Sequence, residues 1–156
     1  MIATEIIHYG MVVPPRSTPR PEDASSAGQT ASSGARILIV EDDYLIGMII
    51  EETLLEAGHE ILGLVTTGEA AVRQGPLLKP DLVLMDIRLA GPMSGIEAAL
   101  KLREMGIPSL FTSAHSDPGI RAQGEAAQPA GWLPKPFSSS DMVSAVDAAL
   151  AGLKRH

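Results

Sequence analysis

Cysteine is missing from the chain altogether, which rules out disulfides and thiolate metal ligands. Long apolar runs are missing too: none approaches the roughly 18–20 residues that cross a bilayer. The N-terminus also makes a poor signal peptide, because its apolar stretch is broken by Glu5 and His8 and has no basic start. The expected location is therefore the cytoplasm, with no membrane partner. Aromatic residues are scarce, with two Phe, two Tyr and one Trp, so any core has to be aliphatic. Positive charge is in deficit as well, since 12 Lys and Arg face 19 Asp and Glu for a formal net charge of −7. That balance argues against the electrostatic footprint of a DNA- or RNA-binding surface.

What is present is enough for one ordinary domain and a tail. The chain has 156 residues, and 45% of them are hydrophobic. Residues 14–34 read PPRSTPRPEDASSAGQTASSG, rich in Pro, Ser, Thr and Gly and without hydrophobic periodicity. Such a stretch cannot bury enough apolar surface to offset the entropy of ordering it. Residues 1–34 therefore read as a disordered or weakly ordered extension, and residues 35–156 as the folded domain.

From Arg36 onward short apolar runs alternate with helical patterns. Arg36–Val40 (RILIV), Ile61–Val65, Leu82–Met85 (LVLM), Ser109–Thr112 and the stretch around Trp132 and Leu133 read as five strands, the second broken by Gly63. Between them lie helical stretches at Leu45–Ala57 and at Gly68–Leu78, the latter expected to be interrupted or ended by Gly75-Pro76. A third helix starts at Ser94, with Glu97 completing a capping box. A fourth follows the Asp117-Pro118 cap but is weakened by Gly119 and Gly124. The last covers Ser140–Leu153, with Val143, Val146 and Leu150 at core spacing. Asp43 reads as the N-cap of the first helix. Strand and helix in alternation imply an α/β fold: a doubly wound, five-stranded parallel sheet with helices on both faces. In such a sheet the loops at the C-terminal ends of the strands gather on one edge, where sites form.

The residues at those ends carry the chemistry. Glu41, Asp42 and Asp43 follow the first strand, Asp86 the third, Ser113 to His115 the fourth, and Lys135 the fifth. Clustered carboxylates favour a hard divalent cation, and Mg²⁺ takes such ligands together with phosphate oxygens. A carboxylate can itself be the nucleophile, while phosphoryl transfer needs mainly positioning and charge neutralisation. Taken singly, Lys135 reads as a solvated lysine, Ser113 as a turn former, Trp132 as a packing residue and Asp86 as a cap. His8, His59 and His156 show no metal-ligand spacing.

The stretches ILIVEDD, DLVLMDIRLAGPMSGIEAA, PSLFTSAH and GWLPKPF, in this order across residues 36–153, resemble the response-regulator receiver family of two-component signalling. The resemblance implies a flavodoxin-like sheet of order 2-1-3-4-5 and a switch rather than an enzyme, one that assists its own phosphorylation and dephosphorylation. It makes Asp86 the phosphoacceptor and a ligand of Mg²⁺, with Glu41, Asp42 and the backbone carbonyl of Arg88 as the other protein ligands. Ser113 becomes the switch hydroxyl; it is favoured over Thr112 because it directly precedes Ala114 and lies five residues after Pro108. Lys135, followed by a Pro136 that is often cis in the family, pairs with the phosphoryl oxygens, and Trp132 stands where an aromatic side chain reports activation. Implied partners are a histidine kinase or histidine phosphotransfer protein and a downstream protein, with a homodimer through the last helix also in view. With no output domain read in the sequence, the expected output is protein contact or phosphorelay.

The sequence also departs from the family. The loop after Asp86 carries Ala90 where many relatives have proline, and it is one residue longer. Arg88 and His115 occupy positions that border the path of the water attacking the phosphoryl group. Three other readings compete: an unphosphorylated adaptor, a hydrolase with an aspartyl-phosphate intermediate, and a nucleotide-binding domain. The hydrolase would want a second acid where Arg88 stands, and the nucleotide site a G-x-G-x-x-G that is absent after the first strand.

Overall fold

The computed structural model describes residues 34–114 and 117–155. The proposed extension, apart from Gly34, lies outside the described residues, as do His8, His115 and His156. The strands are β1 (Arg36–Val40), β2 (Glu60–Val65), β3 (Leu82–Asp86), β4 (Ser109–Ser113) and β5 (Gly131–Pro134). They alternate with helices α1 (Tyr44–Glu56), α2 (Gly68–Leu78), α3 (Gly95–Glu104), α4 (Pro118–Glu125) and α5 (Ser139–Lys154).

All four strand pairings are parallel, in the order β2-β1-β3-β4-β5. This is the flavodoxin-like, doubly wound arrangement. Alternation along each strand divides the core in two. Ile37, Ile39, Leu82, Leu84 and Leu110 face α1 and α5, meeting Ile50, Leu54, Met142 and Val146. Leu38, Val40, Val83, Met85 and Phe111 face the other layer, where Ala98, Ala99 and Leu102 of α3 and Ala71 of α2 fill the space. Burial on both sides is why the central strands are apolar without alternation.

Three local expectations need correction. Gly63 does not break β2; the strand bulges there, the register shifting between Ile37 and Leu38 of the partner strand. Helix α2 runs unbroken through Gly75 and Pro76 to Leu78. Gly75 is favoured by packing, since a Cβ there would sit 2.6 Å from Leu102 Cδ2. The helix then ends at Lys79 in a left-handed conformation (φ 52°), its N–H donating to the Gly75 carbonyl. In α5 the fully buried stripe is Met142, Val146 and Ala149, while Val143 and Leu150 are only half-buried on its flanks. No helix among the described residues is long and apolar enough to cross a membrane.

Candidate functional site

The C-terminal edge of the sheet brings the acids together. Val40 pairs with Met85, so the residues that follow β1 lie beside the end of β3. Glu41, Asp42 and Asp86 each place a carboxylate oxygen within 4.8 Å of the others. Glu41 is 2% exposed and Asp86 6%, whereas Asp42 is exposed. Lys135, one residue beyond β5, reaches across to both buried acids: its Nζ donates to Glu41 Oε2 at 3.0 Å and to Asp86 Oδ2 at 3.2 Å. The peptide bond that follows, Lys135-Pro136, is cis.

Their surroundings fix each carboxylate. Glu41 Oε1 accepts the Asp43 backbone N–H at 3.2 Å, while Asp43 caps α1 by accepting from Leu45 and Ile46 N–H. Asp86 Oδ1 accepts the Arg88 N–H at 3.3 Å. Burial pushes the Glu41 carboxyl up to about 7; negative Asp86 adds to the rise, and hydrogen bonds from Lys135 and Asp43 oppose it without prevailing. For Lys135, burial works against the ammonium, yet the bond it donates to Glu41 and the charge of Asp86 outweigh it and hold the pKa above the ordinary lysine value. Three carboxylates share one ammonium, so the cluster lacks positive charge. Its donors are all hard oxygens, a set that fits Mg²⁺.

The remaining expected residues lie on the neighbouring strands. Ser113 ends β4, and its carbonyl accepts the Lys135 N–H at 2.8 Å. A hollow of about 130 Å³ is lined by Ser113, Ala114, Arg121, Trp132 and Lys135, among others, and lies between the ends of β4 and β5 and α4. Trp132 pairs in register with Phe111, their rings 5.0 Å apart. It lies away from the acids, against α4.

Some contributors were not legible in the sequence. Gly95 opens α3 with its backbone pressed against Asp86: a Cβ would fall 2.0 Å from the Asp86 carbonyl oxygen, and its N–H donates to Ile87 O at 2.8 Å. A glycine inside a capping box, where a better helix former would serve, is the signal that could have revealed it. Glu69 of α2 accepts the Met93 N–H at 3.1 Å, and Thr67 bridges Ala90, so the long loop after Asp86 is fastened to the start of α2. Nothing in the sequence announces that contact, since Glu69 and Met93 are 24 residues apart.

Known proteins resemble this chain in sequence and in fold. PdtaR, a transcriptional regulatory protein of Mycobacterium tuberculosis, is 38% identical over 117 residues, 74% of this chain and 57% of PdtaR. The chain thus spans little more than half the length of that relative. The chemotaxis protein CheY of Thermotoga maritima is 34% identical over 117 residues, 73% of this chain and 96% of CheY. Among solved structures, the signal receiver domain of a modulated diguanylate cyclase from Desulfovibrio desulfuricans superposes with a TM-score of 0.73 at 31% identity, covering 78% of this chain and 98% of that one. The response regulator receiver domain matches residues 37–147, and the chain belongs to that family of signalling switches.

Proposed function

We propose that the domain accepts a phosphoryl group on Asp86 from a phosphohistidine donor, a histidine kinase or a histidine phosphotransfer protein, and thereby alters its contacts with a downstream protein in the cytoplasm. The observation that carries this reading is the convergence of Glu41, Asp42, Asp86 and Lys135 from three strand ends, with Lys135 Nζ bridging the two buried acids. Glu41, Asp42, Asp86 and the Arg88 carbonyl would hold Mg²⁺, which when bound neutralises phosphoryl oxygens and helps orient the donor.

In the transfer, a carboxylate oxygen of Asp86 forms the new O–P bond as the donor's N–P bond breaks, the electron pair leaving on the imidazole nitrogen. Lys135 is already within hydrogen-bond range of Asp86 and needs only to exchange a carboxylate for the new phosphoryl oxygens. Ser113, tied to Lys135 through the backbone, supplies the hydroxyl. The donor docks on α1, which begins next to the acids and exposes Tyr44, Leu45, Met48 and Ile49, with Leu45 71% exposed and Ile49 63%. The same groups assist hydrolysis of the phosphoryl group, so the domain times its own signal.

Intact-mass measurement after incubation with acetyl phosphate and Mg²⁺ tests the proposal. Wild type should gain one phosphoryl group in a Mg²⁺-dependent manner, and Asp86→Asn should gain none. A folded wild type that gains nothing at saturating Mg²⁺ would leave an unphosphorylated adaptor as the better reading.

A further inference from the structure

Trp132 sits in a socket made by α4 and by Phe111 of β4. Its indole N–H donates to Glu125 Oε1 at 3.0 Å. The Arg121 guanidinium lies 5.0 Å from the ring centroid, within cation–π range. Gly124 provides the clearance, since a Cβ at that position would meet the indole at 2.4 Å. From the sheet side, Phe111 packs against the same ring at 5.0 Å.

Helix α4 has little else to hold it. Its one buried residue is Gly124, and its backbone makes few close approaches to the sheet or to the other helices. Hollows flank it on both sides: one of about 440 Å³ toward the loop after Asp86, lined by Arg88, Pro92, Ile120 and Gln123 among others, and the one of about 130 Å³ toward Ser113 and Lys135. The indole therefore borders the space next to the switch residues while its polar edge is bound to α4.

We infer that Glu125 and Arg121 are positioning residues that latch Trp132 to α4 and set the resting state of the switch. This inference rests on the phosphoacceptor reading of Asp86. When Ser113 and Lys135 turn to a phosphoryl group, the hollow between them and Trp132 changes shape. An indole that follows them loses the Glu125 bond and the Arg121 stack. The anchorage of α4 goes with it, and two opposite charges on its surface lose their ring partner. Linkage requires the converse: a variant that weakens the latch in the resting protein makes phosphorylation easier.

The chain contains a single tryptophan, so its fluorescence reports the latch directly. The wild-type chain, Asp86→Asn, Glu125→Ala and Glu125→Gln would be followed by tryptophan emission and by intact mass during incubation with acetyl phosphate and Mg²⁺. Phosphorylation should shift wild-type emission and leave Asp86→Asn unchanged. Resting Glu125→Ala should already resemble phosphorylated wild type and gain the phosphoryl group faster, on the order of fivefold. Glu125→Gln keeps an acceptor for the indole N–H and should restore wild-type behaviour. Because Glu125 is exposed, the variants should fold, which a urea titration checks. Wild-type rates in Glu125→Ala, or phosphorylation of wild type without an emission change, would overturn the latch while leaving Asp86 intact as acceptor. A wild type that takes no phosphoryl group at all would overturn both, and the mass reading alone identifies that case.

Discussion

Helices α3 and α4 begin alike and end in different situations. Each follows a strand that carries a proposed switch residue, Asp86 on β3 and Ser113 on β4, and each opens on a polar N-cap, Ser94 or Asp117. Yet α3 buries Gly95, Ile96, Ala98, Ala99 and Leu102, whereas α4 buries only Gly124. The start of α3 is pressed against the Asp86 backbone, and its far side meets α2 through Gly75 and Leu102. The main tie holding α4 is a tryptophan ring. The apolar burial of Ile96, Ala98, Ala99 and Leu102 resists rearrangement by one new charge, whereas a hydrogen bond and a cation–π contact yield to it. On the proposed reading, the difference separates a floor that holds the acceptor still from an element that chemistry at the acceptor can reset.

The largest effect expected from that contrast is on stability. Leu102→Ala removes a fully buried side chain wedged against Gly75 and should cost about 2–5 kcal/mol in urea denaturation followed by circular dichroism. Ile120→Ala, at the half-buried position of α4 that touches the core, should cost about 1 kcal/mol. Equal losses would show α4 to be as deeply integrated as α3, and the contrast would fail.

Cap removal sharpens the same point at smaller scale. Ser94 accepts the Glu97 N–H while Glu97 accepts the Ser94 N–H. Ser94→Ala should therefore lower global stability by about 1 kcal/mol. Among the described residues, the Asp117 side chain accepts from Gly119 N–H, at 2.8 Å. Asp117→Ala should leave the urea midpoint close to wild type and instead speed amide exchange within α4, because a lightly attached helix opens locally before the domain unfolds. A global loss matching that of Ser94→Ala would count against independent opening of α4.

What the sequence made legible follows from how far apart the interacting residues are. The strands of the buried sheet announce themselves as apolar runs, and the Ser94 and Asp117 caps are local signals of a few residues. The acids and Lys135 could be placed because strand ends share one edge in a parallel sheet, whatever their separation along the chain. Local rules misjudged α2, where Gly75 and Pro76 look like a break; only contact with Leu102, distant in sequence, makes that glycine an asset. They also centred α5 one residue off, since Val143 and Leu150 have the right chemistry while the sheet selects Met142 and Ala149. The socket around Trp132 could not be read at all. Glu125, Arg121 and Gly124 seem in sequence like ordinary features of a weak helix, and they acquire a role only once β5 lies beneath it.

The smallest expected effect concerns the loop on the α3 side, and it asks how much of that rigidity is local. Gly91 turns within the segment from Arg88 to Met93 at φ 92°. Glu69 holds its far end through the Met93 N–H, and the Thr67·Ala90 bridge holds its middle. The proposed metal ligand in this loop is a backbone carbonyl, that of Arg88, whose position depends on the path of the loop rather than on a rotamer. Glu69→Ala removes one hydrogen bond to a charged acceptor and should raise the Mg²⁺ concentration for half-maximal phosphorylation by about two- to fivefold. Glu69→Gln, which keeps an acceptor for Met93, should stay near wild type. If Glu69→Ala left the Mg²⁺ midpoint where it was, the strand-like bridge at Ala90 and the Gly91 turn would be sufficient to place the carbonyl. The rigid half of the site would then be built from the backbone alone, in sharper contrast to an α4 side held by side chains.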